Sequence, residues 1–461
     1  MALRDLPDVH LLRDLGDRLA GDVVLPDAEG WEAARQPWNL AVDQRPVAVV
    51  YPESAEDVAT TVRFAAEHGI RIAFNAGGHN AGPLAWGSDT ILLKTERLRG
   101  ITVDAERGQA RVEAGVLAAA LAGAAADHGL AYLAGTSPDV GVAGYALGGG
   151  LSWMARQFGL CCNSIVGADV VLADGRVVHT DRDTEPELFW GLRGGSGNLA
   201  AVTALELQLV AVPEIYAGAL FWPIERAAEI LKAWRSWVDG VPETCESLGR
   251  MLQLPDVPFL PEHLRGRSFV LVEAAFLGTA ADGDALVQPL RDLGPAMDTM
   301  GVMATGDLSV VNMDPDFPLP YSGEGLLLGD CPPEAIDRLV AVFPGSPLLH
   351  VEVRQLGGAV ARRSPDHGVL DAIDQPFVAF TFGLAPDADA RGAVDRAVAS
   401  VLEAFGPWDS GRRYLNFAES RMDPLTIFPP ESFERFRAAK AHYDPSGLFQ
   451  ANHSVADRDL R

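Results

Sequence analysis

His79 lies in Asn75-Ala76-Gly77-Gly78-His79-Asn80-Ala81-Gly82, a run that offers one imidazole in a backbone nearly stripped of side chains. A second run follows in Val140-Gly141-Val142-Ala143-Gly144-Tyr145-Ala146-Leu147-Gly148-Gly149-Gly150. Glycine lets a main chain approach a ligand closely and adopt positive φ, so the two runs predict two loops clamping a large, flat, phosphate-bearing cofactor. His79 would be the one reactive group presented to it. The stretch from Asn75 to Gly87 holds no Lys or Arg. A diphosphate bound there must therefore rest on backbone N–H groups. No G-x-G-x-x-G joins a first strand to its helix with an acid about 20 residues on, and there is no P-loop. The remaining option for a glycine-lined loop bearing a histidine is a flavin site.

The elements that must hold these loops begin at Pro46. Val47 to Val50 reads as a strand, and Ser54 with Asp57 forms a capping box opening a helix that carries Val58, Val62, Phe64 and Ala65 to His68-Gly69. Arg71 to Phe74 follows as a second strand, and the His79 loop leaves its end, where sheets of this kind bind ligands. Ile91 to Lys94, Ile101 to Val103 and Ala110 to Ala114 are further strands, and Val116 to Asp127 is a helix of small residues. Asp169 to Val178 is a hairpin with an Asp-Gly turn, and Val202 to Leu209 closes the region. After Val212-Pro213 the glycine density falls. Helices over Glu225 to Val238, Asp282 to Leu293 and Ala388 to Phe405 alternate with strands over Ser268 to Phe276, Leu349 to Arg354 and Phe377 to Phe382, and the connections Pro255 to Pro261 and Pro315 to Pro320 are proline-rich. That pattern predicts an antiparallel sheet with helices on one face, facing the substrate.

With 461 residues, 48% hydrophobic and 22% charged, the chain can bury a sizeable core in two or three domains. A net charge of -26 disfavours nucleic acid or an anionic membrane as partner and favours small molecules. Cys161, Cys162, Cys245 and Cys331 are too few for a disulfide framework and match no zinc site, so no metal is expected. The N-terminus lacks an apolar secretion core and no stretch of about 18 apolar residues occurs, which predicts a soluble, cytoplasmic protein.

Taken together, Pro46 to Asp57, Gly77-Gly78-His79, the Val140 to Gly150 run, Arg156-Gln157-Phe158-Gly159-Leu160, Ala173-Asp174-Gly175 and Leu188 to Asn198 resemble the FAD-linked oxidoreductases of the vanillyl-alcohol-oxidase superfamily. The tail, Tyr414-Leu415-Asn416-Phe417 and Lys440 to Pro445 with Phe449 and Asn452, is similar to the end of the berberine-bridge-enzyme branch. The resemblance implies an α+β, two-domain PCMH-type FAD-binding fold. An FAD-binding domain would span 1–212, a substrate domain with an antiparallel sheet backed by helices 213–406, and a C-terminal segment returning to the first domain 407–461.

The same resemblance implies FAD bonded covalently through His79 to its 8α methyl carbon, with a neutral imidazole nitrogen as nucleophile. Many members add a second bond from a cysteine, but here that position is Ser137, so attachment is expected through His79 only. The other residues expected around the cofactor are Asn75, Ala76, Gly77, Gly78, Asn80, Gly82, Val140, Gly141, Gly144, Gly148, Gly149, Gly150, Gly197, Asn198, Tyr414, Asn416 and Asn452. Valine at 140 implies reoxidation by molecular oxygen with release of hydrogen peroxide.

Two family tyrosines are replaced, by Leu151 and Phe417, so the usual phenolate base is missing. The polar group carried by the Phe377 to Phe382 strand would be Thr381, a poor base. His350 and Glu352 on one face of a strand, Tyr145 in the cofactor loop and His453 in the tail are the replacement candidates. The expectation is an oxidase of a small, activated secondary-metabolite carbon. An oxidative cyclase or oxygenating tailoring enzyme, and a non-catalytic protein binding flavin or an aromatic metabolite, are the alternatives.

Overall fold

A computed structural model describes residues 9–84, 89–258 and 260–456 of the chain. Residues 85–88, which include the end of the stretch from Asn75 to Gly87 singled out in the sequence, lie outside them. Among the described residues the strands form three sheets. The first runs in the order Asp22–Val24, Ala48–Tyr51, Thr90–Lys94, Arg71–Asn75, Phe449–Gln450. Its outer Asp22–Val24 strand is antiparallel and the others are parallel. The helix Ala55–His68 connects Ala48–Tyr51 to Arg71–Asn75, and buries Val58, Val62, Phe64 and Ala65 against the sheet. Ser54 Oγ caps it by accepting the Asp57 N–H at 3.1 Å. The reciprocal half of the expected capping box is altered: the Asp57 carboxylate accepts the amides of Glu53, Ala20 and Gly21, so it ties the preceding strand to the helix start.

The second sheet is antiparallel, in the order Ile101–Asp104, Gln109–Glu113, Ala201–Gln208, Ile165–Val171, Val177–Asp181. Beside it the short helix Val142–Leu147 places the second glycine run against the His79 loop.

The third sheet has eight antiparallel strands, with Glu214–Pro223, Ser268–Phe276, Cys245–Gln253, His350–Gln355, Phe377–Leu384 and Tyr321–Leu328 side by side. Period-two alternation gives it two unlike faces. Trp222, Met251, Val270, Val351, Val353 and Ala379 pack under the helices Ala227–Val238, Pro333–Val342 and Ala388–Phe405, in a core with Trp234, Phe343 and Phe405. The residues between them, Arg250, His350, Glu352, Arg354, Phe380 and Phe382, turn the other way. The α+β class and the helix-backed antiparallel sheet follow from this arrangement.

The strands Glu214–Pro223, Cys245–Gln253 and Tyr321–Leu328 were absent from the sequence pattern. Cys245–Gln253 carries buried Glu246, Ser247 and Arg250 and so lacks an apolar alternation, while Tyr321–Leu328 is broken by Gly323 and Gly325. Glu214–Pro223 is buried along almost its whole length and shows no period of two.

The tail helix Pro430–Tyr443 ends in a buried ion pair. Lys440 Nζ stands 2.6 Å from Asp444 Oδ2 and donates to the carbonyls of Asn198 and Phe449. Asp444 accepts the amides of Leu448 and Phe449, which sets Phe449–Gln450 beside Arg71–Asn75. The chain end therefore closes the first sheet at the strand from which the His79 loop springs.

Candidate active site

One cavity runs from the two glycine loops to the polar face of the third sheet. Asn75, Ala76, Gly77, Gly78, His79 and Asn80 line it from the first loop. From the second come Ser137, Val140, Gly141, Gly144 and Tyr145, with Gly197 beside them. The loops touch: a Cβ on Gly141 would stand 1.6 Å from the Ala76 carbonyl oxygen, and one on Gly77, whose φ is 150°, 3.2 Å from the Gly141 nitrogen. Glycine at both positions is what permits this approach.

The tail stitches the loops together. Asn452 Nδ2 donates to the Asn80 carbonyl, Asn80 Nδ2 to the carbonyls of Leu415 and Ala418, and Asn416 Nδ2 to the Tyr145 carbonyl. Tyr414 OH accepts the Leu151 amide at 3.0 Å. Tyr414, Asn416 and Asn452 all reach the cavity wall.

Seven of the residues expected at the site, His453 among them, stand off the cavity. Gly82 lies under the Glu419 carbonyl, 2.2 Å from where a Cβ would be. Gly148, Gly149 and Gly150 pack against Asn416, against Leu370 and Tyr414, and against Cys161 and Tyr145, so the triple glycine admits protein side chains rather than a ligand. Asn198 is fully buried and holds the tail, donating to the His453 carbonyl and accepting the Val455 amide. Thr381 sits between Phe380 and Phe382 on the alternating strand. Both phenylalanines face the cavity, while Thr381 is 1% exposed and donates to the His350 carbonyl at 2.7 Å, so it cannot touch a substrate.

Two further base candidates are corrected by their bonds. Tyr145 lines the cavity, but its hydroxyl donates to the Leu133 carbonyl at 2.9 Å and burial pushes it far above the usual phenol range. It contributes a ring and no phenolate. His453 is buried away from the cavity, with Nε2 at 3.2 Å from the Ala418 carbonyl, and burial lowers it to about 4.

His350 and Glu352 face the cavity together. Glu352 is 1% exposed; its Oε1 accepts from Arg354 Nε at 2.6 Å and its Oε2 has no partner among the described residues. His350 Nε2 also lacks a partner, and burial followed by the Arg250 charge lowers this imidazole to about 3, so it is neutral. Behind them Arg250 pairs with Glu273, both buried, and burial raises Glu273 to about 7. Phe380, Phe382, Phe417 and Tyr321 form the remaining wall: Phe380 lies 4.8 Å from Phe417, and Phe382 lies 4.5 Å from His350 and 5.4 Å from Tyr321 between ring centres.

Sequence reasoning missed four residues that surround His79. Trp38 stacks on its ring, 4.1 Å between centres and 18° between planes, and Asp139 Oδ1 lies 3.3 Å from its Nε2. Tyr321 OH lies 2.9 Å from both the His79 carbonyl and Glu419 Oε1, and burial raises Glu419 to about 8. Asp139, next to the second glycine run, was the one within reach of spacing arguments; the others come from distant segments.

A flavin dinucleotide fits these residues. Arg354 is the one Arg or Lys side chain on the wall among the described residues, which leaves a diphosphate to backbone amides at the glycine loops. Gln44, Asn80, Tyr132, His350, Glu352, Glu419 and Gln450 line the cavity and each carries a buried polar atom with no partner among the described residues. Buried polar groups are seldom left so, and a polar ring system with a ribityl chain supplies partners. Among the described residues no group of three or more metal-ligating side chains occurs, and no helix is long and apolar enough to cross a membrane.

A family model described as an FAD binding domain matches residues 46–181. The chain is 27% identical to (R)-6-hydroxynicotine oxidase of Paenarthrobacter nicotinovorans, over 95% of this chain and 97% of that protein. It is 26% identical to glucooligosaccharide oxidase of Sarocladium strictum, over 92% and 90%. Among solved structures, 6-hydroxy-D-nicotine oxidase of Arthrobacter nicotinovorans superimposes with a TM-score of 0.80 at 25% identity, covering 95% of this chain and 98% of that one. A berberine-bridge-enzyme-like protein of Physcomitrella patens shares the fold, with a TM-score of 0.85 at 19% identity over 98% and 99%.

Proposed function

We propose that this chain, whose relatives and fold are those of the FAD-linked oxidoreductases of the PCMH-type, vanillyl-alcohol-oxidase superfamily, is an oxidase of a small aromatic or heterocyclic substrate, with FAD tethered through His79 alone. The observation that carries this reading is the cavity itself, which joins a histidine between two touching glycine loops to an aromatic wall where the buried Glu352 Oε2 has no partner among the described residues. The division at 1–212, 213–406 and 407–461 is part of the same proposal.

FAD bound there would accept hydride from the substrate carbon and pass the electrons to dioxygen. The chain supplies the rest. Phe380, Phe382, Phe417 and Tyr321 stack on a flat substrate and exclude water. Glu352 Oε2 accepts the proton of a substrate O–H or N–H next to the oxidised carbon, while Arg354 fixes the carboxylate through Oε1. Neutral His350 orients the substrate by a hydrogen bond at Nε2. An oligosaccharide suits this wall poorly, because each of its hydroxyls would need a polar partner that the phenylalanines do not offer. Val140, on the cavity wall, leaves room for dioxygen.

The test is anaerobic mixing of the purified holoprotein with panels of aromatic amines, hydroxylated heterocycles, benzylic alcohols and oligosaccharides, followed by admission of oxygen. Bleaching of the flavin by a member of the aromatic panels, with one hydrogen peroxide per turnover, is expected. Bleaching by oligosaccharides alone, or a reduced flavin that oxygen does not reoxidise, would overturn it.

A further inference from the structure

The His79 ring is held on two sides by groups that the function described above does not use. Trp38 lies flat on it, and the Trp38 indole N–H donates to Asp139 Oδ2. The other carboxylate oxygen, Oδ1, stands 3.3 Å from His79 Nε2. Both of those atoms are buried, and neither makes a hydrogen bond to any described residue, so their 3.3 Å approach is a contact that a small rotation of either side chain would close. The ring as a whole keeps 22% of its side-chain exposure and lines the cavity, so Nε2 is the nitrogen turned into the protein.

We propose that Asp139 is a positioning residue for flavin attachment: it holds the proton of His79 on Nε2, so that Nδ1 carries the lone pair and forms the bond. This rests on the reading that His79 is the tether. The two imidazole nitrogens sit on opposite sides of the ring, so a carboxylate fixed at Nε2 aims Nδ1 away from itself. A carboxylate only accepts, so of the two neutral tautomers the Nε2–H form is the one that can bond to Asp139 Oδ1 once the 3.3 Å approach closes. Trp38 fixes the carboxylate by its N–H and the imidazole plane by its stack, so ring rotation and tautomer are set together.

The bond-forming step balances as follows. One C–H bond of the 8α methyl group breaks, a bond from Nδ1 to that carbon forms, and the imidazole gives up its Nε2 proton, for which Asp139 is the nearest acceptor. The two electrons, with two protons overall, reduce the flavin, and dioxygen reoxidises it to yield hydrogen peroxide.

The experiment compares wild type with Asp139→Asn, Trp38→Phe and His79→Ala, all purified with FAD present. Covalent flavin is read by fluorescence in a denaturing gel and by intact mass, total flavin by absorbance of the native protein, and the attached nitrogen by the pH dependence of fluorescence of the histidyl-flavin peptide. An asparagine amide at 139 donates to Nε2 and so favours the wrong tautomer, as the corresponding change does in Ser-His-Asp hydrolases. Expected is full covalent flavin through Nδ1 in wild type, at least a ten-fold slower attachment in Asp139→Asn at unchanged total flavin, and a smaller slowing in Trp38→Phe, which keeps the stack and loses the N–H. Trp38→Phe also keeps the test alive should Asp139→Asn fail to fold. Wild-type attachment in both variants, or attachment through Nε2 in wild type, overturns the role of Asp139 while His79 remains the tether. Wild type without covalent flavin, or His79→Ala with it, overturns the tether itself.

Discussion

Replacing Gly141 with alanine is expected to slow flavin attachment about 100-fold while leaving the fold standing. The backbone at Gly141 is ordinary, φ -66° and ψ 124°, so alanine meets no conformational penalty there. The penalty is contact. The new Cβ would stand 1.6 Å from the Ala76 carbonyl oxygen and 2.7 Å from its carbon, whereas such contacts are essentially never under 3.0 Å, so the two loops must part by at least 3.0 − 1.6 = 1.4 Å. The obstacle is backbone, which cannot swing aside as a flexible side chain would. Overpacking of this kind costs about 1–3 kcal/mol of stability. A displacement on the order of 1 Å at a reacting group costs about 100-fold in rate. Covalent flavin in Gly141→Ala, followed by gel fluorescence against time, should therefore form about 100-fold more slowly than in wild type. Gly123→Ala is the control: Gly123 lies exposed in the Ala118–Ala126 helix with nothing within 4 Å of an added Cβ, so it should gain up to about 1 kcal/mol in urea unfolding with attachment unchanged. Gly141→Ala attaching flavin at the wild-type rate would refute the idea that the two loops form one clamp.

Glu352→Gln should retain its flavin and lose about 100- to 10,000-fold in the rate of anaerobic flavin reduction, the range of a general base. For Glu419 the sign follows from its raised value: held at about 8 in the fold against 4.5 for a free carboxyl, it takes up a proton on folding, so its contribution is full below pH 4.5 and is lost as pH climbs to about 8. Urea midpoints of wild type should thus fall relative to those of Glu419→Gln across that window, and parallel profiles would contradict it. Lys440→Met strands a fully buried Asp444 carboxylate, and urea unfolding should register a loss of about 3–5 kcal/mol.

Much of this architecture was legible because local chemistry and global fold agree. The Ser268–Phe276 strand and the Ala388–Phe405 helix stand where the pattern places them, the helix capped by the Asp387 side chain on the Ala390 amide. The His79 loop does leave the end of its strand. Legibility failed where a residue type serves two purposes. Gly148 to Gly150 look like a ligand cradle and instead make room for Tyr145, Cys161, Leu370, Tyr414 and Asn416. Thr381 was placed by resemblance, yet a period of two turns it from the cavity and turns Phe380 and Phe382 toward it. The Cys245–Gln253 strand escaped notice because the buried Arg250–Glu273 pair puts charge where an apolar residue is expected. Trp38, Tyr321 and Glu419 could not be found at all from spacing, since only the folded chain brings three such distant segments to His79.

Intact mass under denaturing conditions tests the central claim most directly. Wild type should weigh the polypeptide plus one FAD less two hydrogens, and His79→Ala the polypeptide alone. Bare polypeptide mass for wild type, or an added FAD that survives in His79→Ala, would contradict it.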